Sequence, residues 1–190
     1  MRVSPAQSYR PAQRWVSVDV LTTAGWARGT LVLPQIQALL DFITGAGAFL
    51  KLVNAQLPQL VEPQSYMALK CESVLLIAPA VGNEKVEIDA PGASMAPLKV
   101  VCLLEDGVLE GTLNFLVNLR LSDFLRHQTG FLVVRDATWT AAPVPGKPDA
   151  AARRLPVALV NASRIVAITE VRDGAEPDHP GELPEVRPTM

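Results

Sequence analysis

Histidine is the scarcest chemical resource in this 190-residue chain: the two present, His127 and His179, stand far apart. That count excludes a multi-histidine metal centre, and neither Cys71 nor Cys102 lies close enough in sequence to complete a ligand motif. Asp123 and His127 are four residues apart, so on a helix they share a face and could form an ion pair or part of a site. A solvated surface pair is the better reading. Gly25, Gly29, Gly107 and Gly111 lack a following Lys-Ser/Thr and sit in hairpin contexts, so they are turn and close-approach glycines, not a phosphate loop. Arg153-Arg154 is an isolated basic doublet that reads as solvated surface. Trp15, Trp26 and Trp139 lie at strand edges or in loops, where an exposed ring stacks on a base or anchors a partner; apolar neighbours favour ordinary packing. No base, nucleophile and oxyanion donor converge in the sequence, so no catalytic, cofactor or metal residue is assigned and the chain is expected not to be an enzyme. Arg153, Arg154, Trp139 and His127 remain as candidate partner contacts.

The elements that must position these residues appear as a repeat. Residues 21–55 laid over 103–137 without a gap match at 11 of 35 positions, including Gly25/Gly107, Gly29/Gly111, Thr30/Thr112, Asp41/Asp123, Phe42/Phe124 and Phe49/Phe131. The similarity resumes with residues 68–77 over 158–167, an offset of 90 in place of 82, so the second copy carries a loop eight residues longer. That loop, residues 141–156, holds four prolines and a run of alanines, the composition of a surface excursion.

Both copies follow one local grammar. Val16, Val18 and Val20 alternate with Ser17 and Asp19, the period of a half-buried strand. A turn at Ala24-Gly25 leads into residues 29–33; in the second copy residues 99–104, Asp106-Gly107 and residues 111–115 repeat the hairpin. Ile36, Leu39, Leu40 and Ile43 then recur at helical spacing, matched by Leu121, Phe124 and Leu125 with Ser122 placed to cap. Further strands are expected at 48–53, 66–69 and 74–78, and at 130–135, 156–160 and 165–170. Asp41 and Asp123, each beside a phenylalanine, read as caps or backbone-orienting carboxylates, with a contact to a partner loop as the functional alternative.

The order strand, glycine turn, Gly-Thr-Leu, spacer, Phe-Leu ending in Asn/Asp-Ala, then Val-Asn-Ala-Ser-Arg-Ile-Val-Ala-Ile resembles the two-part signature of Sm/LSm-like small β-barrels over about 150 residues. The resemblance implies a mainly β protein of two tandem five-stranded Sm-like or SH3-like barrels, each with a short helix inserted between its second and third strands. Gly25, Gly29, Asp41, Phe42, Gly107, Gly111, Asp123 and Phe124 form the structural signature of the repeat. The family's RNA binders place Arg-Gly in the final motif; here those steps are Cys71-Glu72 and Asn161-Ala162, and the base-holding loop is replaced by the helix, so no RNA-site residue carries over. The expected organisation is a flexible N-terminus (1–13), copy one (14–81), a linker (82–97), copy two (98–171) and a disordered Pro-rich tail (172–190).

Hydrophobic residues make up 49% of the chain and charged ones 19%, enough apolar material for a core. The net charge of -2 gives no general attraction to phosphate backbones or anionic membrane. The opening MRVSPAQSYRPAQRW lacks an apolar signal-peptide core, and the longest apolar run, residues 74–81, is too short to span a bilayer, so a cytoplasmic protein with reduced, buried cysteines is expected. Small open barrels leave unpaired edge strands, and Sm-like proteins as a family join such edges into rings. The function these readings imply is a non-catalytic interaction or assembly module, with a protein partner or self-association through barrel edges; the alternative is an RNA-binding Sm-like protein, which charge does not favour.

Overall fold

The computed structural model describes residues 12–83, 86–88, 95–116, 120–143, 145 and 152–171. The expected flexible N-terminus and C-terminal tail, with His179, fall almost wholly outside these residues.

The chain is mainly β. Its ten strands are β1 (Gln13–Thr22), β2 (Gly25–Pro34), β3 (Phe49–Gln56), β4 (Gln64–Lys70), β5 (Val74–Pro79), β6 (Met95–Leu104), β7 (Gly107–Leu116), β8 (Phe131–Ala141), β9 (Arg153–Asn161) and β10 (Ile165–Glu170). Helix α1 (Leu39–Thr44) lies between β2 and β3, and α2 (Leu121–His127) between β7 and β8. All the strands join one open antiparallel sheet in the order β10-β6-β7-β8-β9-β5-β1-β2-β3-β4.

The long hairpins arise from their turns. Gly25 takes φ +106°, a conformation open to glycine, and the β1–β2 ladder pairs Thr22 with Gly25 and runs back to Gln13 opposite Pro34. Gly107 closes β6 on β7, and there a Cβ would come within 2.8 Å of the Trp139 ring and 2.9 Å of the Ala141 backbone. Farther along, Gly29 and Gly111 mark register shifts in the β2–β3 and β7–β8 ladders. Opposite those shifts Asn54 and Asp136 adopt positive φ of 50° and 49°, a region that Asn and Asp tolerate better than other side-chain-bearing residues. The strands bend there, and the glycines let β3 and β8 approach closely.

Elements in the two halves recur at fixed spacing: Gln13 to Met95, Gly25 to Gly107, Leu39 to Leu121 and Phe49 to Phe131 are each 82 residues apart. After the long loop the spacing is 91, from the 3₁₀ turn Cys71–Ser73 to the turn Ala162–Arg164 and from Val74 to Ile165. The sequence match at offset 90 is therefore one residue short, because strand pairing aligns Lys70 with Asn161: Phe49 pairs with Lys70 as Phe131 pairs with Asn161.

Two helical expectations are corrected. Ile36 is not on the buried face of α1 but almost fully exposed in the turn after Pro34, which ends the strand before the helix begins. Ser122 does not cap α2; its N-cap is Arg120, with no side-chain cap bond. The first turn of α1 is held instead by residues 86–88, whose Glu87 and Ile88 carbonyls accept the amides of Leu39 and Leu40, satisfying donors that every helix start leaves open. That contact falls inside the expected linker, as does the start of β6 at Met95.

The sheet encloses two hydrophobic clusters, and each borrows residues from the other half. Phe131 and Leu159 pack into the cluster of β1, β2 and β3, while Leu21, Leu75, Leu76 and Ala78 pack into the cluster of β6, β7 and β8. No helix of the described residues is long and apolar enough to cross a membrane.

Candidate functional site

The two halves meet where β5 pairs with β9, Leu76 opposite Val160 and Ile77 opposite Leu159. Polar side chains bind the two ends of this seam.

At one end stands Asp19, in the middle of β1. The hairpin register sets it opposite Arg28, and the pair forms a hydrogen-bonded salt bridge with Arg28 Nε 2.7 Å from Asp19 Oδ1 and Nη2 3.3 Å from Oδ2. Extending the β5–β9 register places Arg153 beyond Pro79, the last residue of β5, so no strand separates it from the hairpin. Arg153 Nη2 donates to Asp19 Oδ2. Its guanidinium also lies 4.1 Å from the centre of the Trp26 ring, an arrangement in which the ring's negative face stabilises the cation. Asp19 is only 4% exposed, so its charge is compensated by these two cations rather than by water. Hydrogen bonding and charge from Asp19 in turn raise the Arg28 pKa above its ordinary value.

The other end is held by Asn161. Its amide donates to the Cys71 carbonyl at 3.2 Å and the Val74 carbonyl at 3.0 Å, both in the first half, while its Oδ1 accepts from the Ser163 amide and hydroxyl. All the hydrogen-bonding capacity of the buried amide is thus used across the seam or in the adjoining turn.

The residues singled out in the sequence are dispersed about this seam. Gly25, Gly29, Gly107 and Gly111 shape the hairpins and bends. Phe42 and Phe124 pack partly buried against the first and second clusters. Asp41 and Asp123 lie in the first turns of α1 and α2, where a carboxylate favours the positive end of the backbone dipole. Asp123 pairs with Arg126 at 3.8 Å; the side chain of His127 lies outside the described residues, and the Asp123–His127 pair with it. Trp139 is corrected as a partner contact: it is buried against the second cluster, over Gly107. Trp15, by contrast, is exposed. Arg153 is not a solvated basic residue but part of the ion-pair cluster, and Arg154 alone of the doublet is exposed. Cys102 is buried and Cys71 only half-buried; both thiols are free, and burial pushes Cys102 up to about 11.

Asp19, Arg28 and Asn161 escaped the sequence reading. The symmetry of the Thr22/Gly25 turn already places Asp19 opposite Arg28, but alternation with the valines assigned Asp19 to the wet face. Among the described residues no group of three or more His, Cys, Asp or Glu could hold a metal ion. What the cluster does chemically is clamp: one carboxylate, two guanidiniums and an indole tie the first hairpin to the ninth strand. Searches against protein-family models, curated proteins and solved structures find no match to this chain.

Proposed function

We propose that the chain is a non-catalytic assembly module, a duplicated Sm-like barrel with a helix inserted between the second and third strands of each copy. It works by joining sheet edges. The observation that carries this reading is the β5–β9 seam, where one half takes the fourth strand of the other onto its own last strand and buries apolar side chains from both sides. The outer strands β4 and β10 remain at the ends of an open sheet, with backbone donors and acceptors facing outward.

The RNA-binding alternative draws less support. Asn161, one of the two residues standing where the family places Arg-Gly, is buried and spent on the Cys71 and Val74 carbonyls, leaving no amide for a base.

Sedimentation and mass photometry of the full chain test the assembly reading. Association that is lost in Val166→Lys, on β10, and in Ala68→Lys, on β4, with the fold intact by circular dichroism, supports it. A single copy at every micromolar concentration, or association indifferent to both end strands, overturns it.

A further inference from the structure

The inner seam is built from positions that recur at both ends of the sheet. The spacing of 82 maps β1 and β2 onto β6 and β7, and the spacing of 91 maps β5 and the end of β9 onto β10 and β4. At the β10 end, Leu103 and Val166 stand where the inner seam has Leu21 and Leu75; they are 43% and 64% exposed, against 4% and 0%. At the β4 end, Phe49 stands where the seam has Phe131, and is 50% exposed against 6%. Both ends therefore display the apolar positions that the inner seam covers, and each displays the half that the other lacks.

The polar clamp does not recur. Asp19, Arg28 and Trp26 correspond to Val101, Glu110 and Val108, and the spacing of 91 maps Arg153 onto Glu62, in the bend just before β4 and past the last β3–β4 pair, Ala55 with Gln64. A junction of β10 with a second chain's β4 would bring exposed Glu62 toward exposed Glu110, two carboxylates where the inner seam has a carboxylate held by two guanidiniums.

From this we infer, resting on the assembly reading above, that β10 of one chain takes β4 of a second copy head to tail, and that the Asp19–Arg153 pair is the selector between the two kinds of seam. The inner seam carries the clamp and stays closed. The outer seam has the same apolar contacts in the same register, Ala167 opposite Leu69 and Ile168 opposite Ala68, but like charges oppose its closure and make it reversible. Assemblies then grow and dissolve in units of one chain.

The test grafts the clamp onto the outer seam of the full-length protein and reads the dissociation constant by sedimentation velocity. Glu62→Arg alone is expected to tighten self-association about tenfold by replacing repulsion with attraction to Glu110, and Glu62→Arg with Val101→Asp to tighten it further. A second measurement fixes the register: oxidation of Ala68→Cys/Ile168→Cys is expected to link chains covalently, while either single substitution does not. Unchanged or weaker association in Glu62→Arg, or no cross-link in a protein that does associate, overturns the inference and leaves the assembly reading standing. Association absent from the wild type and from both grafted variants defeats the two together.

Discussion

Arg153 donates to the carboxylate of Asp19 across 134 residues of chain, binding a strand of the second half to the first hairpin of the first half. Because Asp19 is buried and both arginines reach solvent, removing the acid and removing one base are unequal perturbations. Asp19→Ala leaves two guanidiniums without their shared acceptor and frees no buried charge, whereas Arg153→Ala leaves a buried carboxylate held by Arg28 alone.

Chemical denaturation separates these cases. Arg153→Ala is expected to lower stability by about 2 kcal/mol, below the full range for a broken buried pair because Arg28 remains and the site borders water. Arg153→Lys should recover only part of the loss, since a single ammonium cannot both bond Asp19 and lie flat on Trp26. Full rescue by lysine would show that charge alone matters at this position.

Equivalent phenylalanines should behave differently. Phe131→Ala removes a ring buried in the first cluster and is expected to cost about 3 kcal/mol in a dilute chain. Phe49→Ala, at the matching half-exposed position, should cost under about 1 kcal/mol under the same conditions but weaken self-association. Equal costs in thermal unfolding at low concentration would contradict this account of the sheet ends.

The paired glycines should also differ. At Gly111 a Cβ would lie 2.6 Å from Val134 Cγ1 and 2.8 Å from the Arg135 carbonyl oxygen; at Gly29 the nearest atom would be Leu52 Cβ at 3.1 Å. Gly111→Ala is expected to destabilise by about 3 kcal/mol and Gly29→Ala by about 1 kcal/mol, measured by urea unfolding.

The Cys102 thiol gives a pH dependence. Its pKa rises from an ordinary 9.0 to about 11 in the folded chain, so the native state keeps its proton where the unfolded state releases it. This contribution to stability is complete below pH 9 and is lost as the pH rises toward 11. The decline is on the order of 2 kcal/mol, and Cys102→Val should remove it from stability curves measured between pH 8 and 11. At neutral pH the same thiol should resist alkylation until the protein unfolds.

Much of the fold was legible in local chemistry. The glycine turns, the valine alternation and the repeated Phe-Leu strands locate the hairpins, since turn position sets hairpin register. The limits of α1 were not, because Pro34 and the contacts from Glu87 and Ile88 override a helical spacing that begins at Ile36. The site was half legible: Asp19 and Arg28 follow from the first hairpin, while Arg153 joins them only through a pairing between distant strands that no local pattern encodes. Asn161 was hidden by the one-residue slip in the second match, which aligned it with Cys71 instead of with the strand-ending Lys70.

The exchange of core residues between halves also governs when the chain can fold. Leu75 and Leu76 emerge from the ribosome long before the strands that cover them, and Phe131 and Leu159 complete the first cluster only after most of the chain has been made. The nascent first half must therefore wait with an apolar strand uncovered, and closure of the β5–β9 seam becomes a late, long-range step that slows folding and exposes the chain to aggregation until Asn161 is synthesised.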